Sequence, residues 1–180
     1  MRKSFPFWQV VGFGFTSVVG TLLHFLLDWS NGNVVVALFS AVNESIWEHM
    51  KLLYFPLLVY AWVEYTIIGK GYDNFWCVKL VGTIVGLVLV PTLYYTYSGV
   101  IGRSVDLINI AIFYIAAAVT FRLENKLLTQ NRCKGLSSAI SLIWLLLIGI
   151  VFIFLTFSPP RLPLFQDPIS GNYGYLRFAT

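Results

Sequence analysis

One segment of this chain, residues 43–51 with the sequence Asn-Glu-Ser-Ile-Trp-Glu-His-Met-Lys, concentrates side chains that can do chemistry. Glu44, Glu48 and Lys51 are candidate catalytic acids and bases, and His49 is a candidate metal ligand. The chain as a whole is 58% hydrophobic and only 11% charged. Because a charged side chain is costly in hydrocarbon, we expect this segment to lie at a membrane edge or to line a protected polar cavity.

A second group of polar residues is predicted on the same side of the molecule. His24 and His49 are the two histidines of the chain, and the predicted helices place them at similar depth. Asp28 lies one helical turn after His24 and shares its face. Asp106 and Asn109 open a later helix on that side. We expect these side chains to converge.

Two imidazoles and several carboxylates suit a borderline divalent cation such as zinc. We expect His24 and His49 to bind it with one or two of three acids, Asp28, Glu44 and Glu48, of which Asp28 and Glu48 are the preferred ligands. With an open coordination position the ion could activate water, and the remaining glutamate would be the general base. The alternative is that each histidine is hydrogen-bonded and purely structural.

Helix capping explains part of the segment. Asn43 and Ser45 are residue types that cap helix N-termini, and Ser45-x-x-Glu48 matches a capping box. Glu48 could therefore serve its own helix, which would leave Glu44, His49 and Lys51 unexplained. On a helical projection Glu44 and Glu48 share one stripe, so both are expected to face the same pocket or outer water.

The length and spacing of the apolar stretches predict an all-α polytopic membrane protein. The mean hydropathy is +0.77, and about 20 apolar residues suffice to cross a bilayer. We predict five spans, near 8–27, 45–68, 75–98, 105–121 and 137–157, with a short re-entrant or interfacial segment before the second. Residues 1–180 then form a single integral membrane domain, with a helical bundle over 1–157.

Lysine and arginine set the predicted orientation, because they are enriched in cytoplasmic loops. With the N-terminus inside, eight of the twelve lie on the cytoplasmic side: Arg2, Lys3, Lys70, Lys79, Arg122, Lys126, Arg132 and Lys134. The outer four are Lys51, Arg103, Arg161 and Arg177. We therefore predict a multi-pass plasma-membrane protein with a cytoplasmic N-terminus and an extracytoplasmic C-terminus. A six-span alternative would put the basic loop 122–134 outside and is rejected.

Cys77 and Cys133 both fall near the predicted cytoplasmic face, where we expect reduced thiols rather than a disulfide. Glu64 lies near the same face and is expected to pair with Lys79 or Lys70. The basic residues are not interleaved with aromatic residues on one exposed face, so no nucleic-acid partner is predicted.

The C-terminal tail, residues 158–180, combines prolines and glycines with aromatic residues. A disordered tail would carry more charge and fewer aromatics, so we expect an ordered extracytoplasmic cap over the outer pocket, with Asp167 starting a turn.

Two patterns together resemble a family of small, uncharacterised bacterial integral membrane proteins. One is Asn-Glu-Ser-x-Trp-Glu-His-x-Lys at 43–51, and the other is Pro-Pro…Leu-Phe-x-Asp-Pro…Gly-x-Tyr-Gly at 159–174. The resemblance covers the whole chain, although members often have proline where this chain has Val42. It implies the fold and the location of the site, but no reaction.

Several functions fit this sequence. The leading hypothesis is a metal-dependent hydrolase or lipid-modifying enzyme at the outer leaflet, with a lipid or small molecule as substrate. An ion or small-solute transporter using the same cluster, and a structural accessory subunit, are the alternatives. Bis-histidine haem is disfavoured, because acids rather than basic residues surround the histidines. The bilayer is the expected partner, and homo-oligomerisation is left open.

Overall fold

Five long helices and one short helix build the molecule. They are α1 Phe5–Trp29, α2 Val34–Ala37, α3 Ile46–Ile67, α4 Phe75–Ile101, α5 Asp106–Thr129 and α6 Ser138–Phe157. The computed structural model describes residues 5–133 and 135–175. Within those ranges there is no β-strand, only an isolated bridge between Gln166 and Tyr173. The all-helical prediction is confirmed, whereas the orientation residues Arg2, Lys3, Lys134 and Arg177 lie outside the described residues.

Four of the helices are long and apolar enough to cross a membrane, which indicates a membrane protein. These stretches are Pro6–Trp29, Phe75–Ile101, Asp106–Thr129 and Ser138–Phe157. The remaining long helix, α3, has 22 residues but carries Glu48, Lys51 and Glu64, which lower its hydropathy. It corresponds to the predicted span 45–68, and its passage through the membrane stays a prediction.

Local sequence signals explain where several helices begin and end. Ser45 and Ser137 cap α3 and α6, their hydroxyls accepting hydrogen bonds from the backbone N–H groups of Glu48 (3.4 Å) and Ile140 (3.3 Å). At the end of α4, Gly102 has φ +77°, a left-handed conformation that glycine adopts without a steric penalty.

The helix α3 occupies the centre of the bundle and contacts α1, α4, α5 and α6. Most of its length is buried, which explains why it tolerates aromatic residues around its circumference. Tyr54, for example, is fully buried against Phe152 of α6, and its hydroxyl donates a 2.5 Å hydrogen bond to the Leu145 carbonyl. This central helix carries His49 at one end and Glu64 at the other.

The segment between α1 and α3 turns the chain back toward the bundle. Asn31 and Gly32 both have positive φ, +54° and +71°, and Asn33 then caps the four-residue helix α2 by accepting from the backbone N–H of Val35 at 2.8 Å. Residues 34–42 are the predicted re-entrant or interfacial segment. Their depth in a membrane remains a prediction.

The cysteine prediction was wrong. Cys77, in the first turn of α4, and Cys133, after α5, form a disulfide with Cα atoms 5.9 Å apart. They are 56 residues apart in sequence, so only the antiparallel packing of α4 on α5 brings them together.

The tail folds back over the end of the bundle that carries residues 43–51. Phe165 stacks on Trp47 with ring centroids 4.7 Å apart, and the backbone N–H of Tyr175 donates to the Thr156 carbonyl at 2.8 Å. The Asp167 carboxylate accepts from the backbone N–H of Ile169 at 3.0 Å, as expected of an aspartate that starts a turn. Residues 176–180 of the predicted cap lie outside the described part.

Candidate metal centre

Three side chains from separate elements meet at one end of the bundle. Glu44 lies between the two histidines: its Oε1 is 3.5 Å from Nε2 of His24, and its Oε2 is 3.5 Å from Nε2 of His49. One ligand atom from each of the three lies within 4.8 Å of the others. The imidazole rings are 5.5 Å apart between centroids. The predicted convergence of the two histidines with a carboxylate is therefore present.

The elements that carry these residues explain why Glu44 can sit between the histidines. His24 lies near the end of α1 and His49 in the first turn of α3, and the two helices pack together. Glu44 precedes the capping residue Ser45 and lies in a bend outside the helix. A side chain just before a helix is free to point across the helix end toward α1.

His49 is held by a second hydrogen bond. Its Nδ1 is 2.9 Å from the backbone carbonyl of Ser45, one turn earlier. A carbonyl only accepts, so Nδ1 carries a proton, and in the neutral ring Nε2 then has the lone pair that a metal ion would need. Metal-binding histidines commonly make this kind of outer hydrogen bond, which fixes the ring orientation and the tautomer.

The electrostatics of the cluster favour an ionised Glu44. The hydrogen bond to His24 and the nearby His49 imidazole hold the pKa of the Glu44 carboxyl below its usual value, although partial burial acts in the opposite direction. The side chains of His24, Glu44 and His49 are 31%, 40% and 25% exposed, so an ion from the aqueous phase could reach them.

The cluster lies on the wall of a cavity of about 440 Å³ between α1, α3 and α5. The cavity brings in two further predicted residues, Asp106 and Asn109, at the start of α5, and one tail residue, Ile169. Asn109 is already engaged, because its amide donates to Ser104 Oγ at 3.0 Å and its carbonyl oxygen accepts from the Tyr97 hydroxyl. Asp106 is exposed and is the carboxylate most available for proton transfer inside the cavity.

Two predicted catalytic residues have a different environment. Glu48 and Lys51 form an ion pair of 2.6 Å with side chains 2% and 0% exposed. The Lys51 ammonium also donates to the Ala37 carbonyl at 3.0 Å and to Thr156 Oγ1 at 2.9 Å. Glu48 accepts from the backbone N–H of Val42 at 3.2 Å. Neither side chain belongs to the described lining of the cavity.

The remaining predicted site residues lie around the cluster. Asp28 is exposed on α1 and contributes a negative potential at His24, but it does not belong to the described cavity lining. Asn43 joins the segment to the tail: its amide donates to the Gly174 carbonyl at 3.2 Å, and its side-chain oxygen accepts from the backbone N–H of Ser45 at 2.9 Å. Asn43 and Ser45 thus position the chain on either side of Glu44.

The cavity also contains residues that the sequence did not single out as functional. The Thr21 hydroxyl is 3.3 Å from the Tyr114 hydroxyl, and both residues line the cavity. Tyr114, Phe113 and Leu52 gave no signal, because aromatic and aliphatic residues are common throughout this chain. Only the spacing of Thr21 and His24 on one helix face hinted that α1 lines a cavity.

The three side chains could hold a divalent ion. The two nitrogen–oxygen distances are 3.5 Å and join the histidines to different oxygens of Glu44, and the three ligand atoms lie within 4.8 Å of one another. The donor set, two neutral imidazole nitrogens and a carboxylate, is one that zinc takes when a fourth position is open to water or substrate.

The fold and this cluster define the class: a small helical membrane protein with a histidine–glutamate group at one end of its bundle. Within that class, the chain belongs to a family of unknown function (DUF6512), whose profile matches residues 2–175. No curated protein and no solved structure matches the chain. The family match agrees with the resemblance seen in the sequence and brings no activity with it.

Proposed function

We propose that this protein is a membrane-embedded, metal-dependent hydrolase that acts on an amphipathic, lipid-like substrate. The observation that carries the proposal is that His24, Glu44 and His49 converge on the wall of a cavity of about 440 Å³. Three protein ligands leave one tetrahedral position open, and that position is the usual place for water or substrate in catalytic zinc sites.

Each residue of the site has a distinct role in the proposed hydrolysis. A bound zinc ion would make water more acidic and polarise the oxygen of an ester. His24, Glu44 and His49 hold the ion, so Glu44 replaces Asp28 and Glu48 as the carboxylate ligand. Asp106 lines the same cavity and is the proposed general base that accepts the proton of the attacking water, because Glu44 binds the ion and Glu48, the other predicted catalytic glutamate, is paired with a buried lysine.

The lining of the cavity supports an amphipathic substrate. Its polar end holds the metal centre and Asp106, whereas Phe25, Leu52, Ile110 and Phe113 make much of the rest apolar. Phe25 and Ile110 are 46% and 55% exposed on the outer surfaces of α1 and α5. These helices face lipid in a membrane, so an acyl chain could enter from the side while the headgroup meets the polar end.

The transport alternative requires a polar route through the bundle. Gln9 of α1 belongs to a second polar group at the opposite end, and none of that group is in the described lining of the cavity. Along α1, Gly12 separates Gln9 from the cavity residue Gly20, and the rings of Tyr60 and Phe121 pack over Gly12. In the described part of the chain the cavity lining and this second polar group share no residue, which supports an enzyme over a transporter.

The proposed setting follows the distribution of basic residues. We place five spans in the plasma membrane, with α3 as the central span, the N-terminus in the cytoplasm and the metal centre at the extracytoplasmic end. The Lys and Arg residues between α5 and α6 support this orientation.

Zinc binding by the purified, full-length protein tests the metal centre. After dialysis against zinc and removal of free metal, we expect one zinc ion per chain in the wild type, measured by elemental analysis. Glu44→Gln and His49→Ala should lose the ion. Asp28→Asn is the matched control, since it removes an exposed acid beside His24 and should keep the ion. Equal zinc content in all four proteins would overturn the site.

Hydrolysis is tested separately in vesicles of phosphatidylglycerol and phosphatidylcholine that carry a fluorogenic acyl ester. We expect zinc-dependent release of the fluorophore, its loss with a chelator, and a large decrease in turnover in Asp106→Asn at unchanged zinc content. Full activity in Asp106→Asn would remove it as the base. Zinc binding without hydrolysis of any ester or phosphodiester lipid would contradict the enzymatic role.

A further inference from the structure

A second polar group is buried at the end of the bundle opposite the metal centre. Lys79 of α4 has its ammonium 2.5 Å from Oε2 of Glu64 on α3 and 2.5 Å from Oε2 of Glu124 on α5. Gln9 of α1 donates from Nε2 to Oε1 of Glu64 at 2.5 Å. Four helices thus each contribute one side chain to this network, which we call the carboxylate–lysine network.

The network is closed to solvent. Glu64, Glu124 and Lys79 are 0%, 1% and 3% exposed. The Lys79 ammonium also lies 5.4–5.9 Å from the ring centroids of Phe75, Phe121 and Tyr60, which wall it off. The Tyr60 hydroxyl is engaged elsewhere, as a donor to the Trp8 carbonyl.

The formal charges of the network do not cancel. Two carboxylates face one ammonium, and the neighbouring Gln9 and Tyr60 side chains are uncharged. An uncompensated charge in a buried, membrane-embedded site is strongly unfavourable, and two carboxyl groups that share one site do not both ionise readily. A proton on one carboxyl group would make the network neutral.

We propose that the carboxylate–lysine network is a proton-binding site, in which Glu124 holds a proton at neutral pH while Glu64 and Lys79 form the ion pair. The hydrogen bonds decide which acid is protonated. Glu64 accepts a hydrogen bond from Gln9 at Oε1 and has its Oε2 2.5 Å from the Lys79 ammonium, and both contacts favour a carboxylate that carries a charge. Glu124 accepts from Lys79 alone among the described residues, and its carboxyl packs against Gly82, where no side chain could supply a second donor.

Because the network is neutral only when Glu124 is protonated, the single and the double glutamine variants should differ in thermal stability. Glu124→Gln replaces a neutral acid by a neutral amide of the same shape and should keep the wild-type melting temperature in detergent. The double variant Glu64→Gln/Glu124→Gln leaves Lys79 buried without a counter-charge and should lose much of its thermal stability. If Glu124→Gln were as unstable as the double variant, Glu124 would be ionised and the proposal overturned.

Infrared spectroscopy of the full-length protein reads the proton directly. We expect the carbonyl band of a protonated carboxylic acid at pH 7 in the wild type, its absence in Glu124→Gln and its persistence in Asp28→Asn, which alters an exposed acid. At alkaline pH the wild type should lose both the band and thermal stability, whereas Glu124→Gln should change in neither. A wild type without the band, or one stabilised by sodium instead of by protons, would contradict a proton site.

Discussion

Glu48 and Lys51 form a 2.6 Å ion pair that is almost completely closed to solvent, one helical turn from the metal centre. The pair ties α3 to α6 through Thr156, whose hydroxyl lies 2.9 Å from Lys51 Nζ and 3.1 Å from Glu48 Oε1. It also holds the segment before α3 through the carbonyl of Ala37 and the backbone N–H of Val42. Two residues that look catalytic in the sequence therefore fasten the segment from which Glu44 projects.

Loss of the cation from this pair should destabilise the protein. Lys51→Met leaves Glu48 buried without its partner, and breaking a buried pair in this way typically costs about 3–5 kcal/mol. We expect a clearly lower melting temperature by circular dichroism in detergent. Lys70→Met, which removes an exposed lysine, should leave the melting temperature unchanged. A stable Lys51→Met protein that no longer hydrolyses ester would instead favour a catalytic lysine.

Close helix packing around the metal centre can be tested with two glycines of α1. A Cβ added at Gly20 would lie 2.8 Å from the backbone oxygen of Leu52 and 2.5 Å from the Phe113 ring, so α1 would have to move away from α3. We expect Gly20→Ala to cost roughly 1–3 kcal/mol and to weaken zinc binding, because His24 lies on the next turn. Gly14 has nothing within 4 Å of the same position, so Gly14→Ala is the matched control. Equal melting temperatures for the two variants would contradict the tight contact.

Zinc binding should weaken steeply as the pH falls from 7.5 to 5.5. Metal and protons compete for the same lone pairs, and imidazoles accept protons in this range. Glu44 should stay ionised throughout, since its hydrogen bond to His24 holds the pKa of its carboxyl below the usual value. Equilibrium dialysis with zinc at several pH values measures the effect. Binding that does not depend on pH would exclude histidine ligands.

The cysteine pair offers a test of orientation. The disulfide between Cys77 and Cys133 is typical of an oxidising compartment, whereas the basic residues predict that this end of the bundle faces the cytoplasm. If the orientation that the basic residues predict is right, both thiols should be reduced in living cells. Treatment of intact cells with a membrane-permeant maleimide, followed by mass spectrometry, should find both cysteines labelled. Unlabelled cysteines that react only after reduction would place this end in an oxidising compartment and invert the orientation.

Hydropathy predicted the helices well but their ends less well. The predicted span 105–121 stopped before the polar residues Arg122 and Glu124, yet α5 continues to Thr129. The reason is that Glu124 turns into the bundle to meet Lys79, a contact that no local pattern reveals. Similarly, Glu64 was expected to pair with Lys79 or Lys70, and the structure selects Lys79 and adds a second carboxylate.

The candidate site includes one residue, Glu44, to which helical periodicity does not apply. A helical projection put Glu44 and Glu48 on one stripe, but Glu44 lies in a bend before the capping residue Ser45. The helical projection does not apply to Glu44, so the two acids have different partners. Glu44 contacts both histidines, and Glu48 forms an ion pair with Lys51. The two histidines were the stronger signal, because they are the only ones in the chain and both lie in regular helices.

The position of the tail has a consequence for biogenesis. Ile169 lines the cavity and Gly174 accepts the amide of Asn43, so part of the site is built from residues that the ribosome adds after all six helices. During synthesis His24, Glu44 and His49 are present before this last wall exists. Folding of the helices and completion of the cavity are therefore separate events in time, and the finished cavity forms only after the tail has docked.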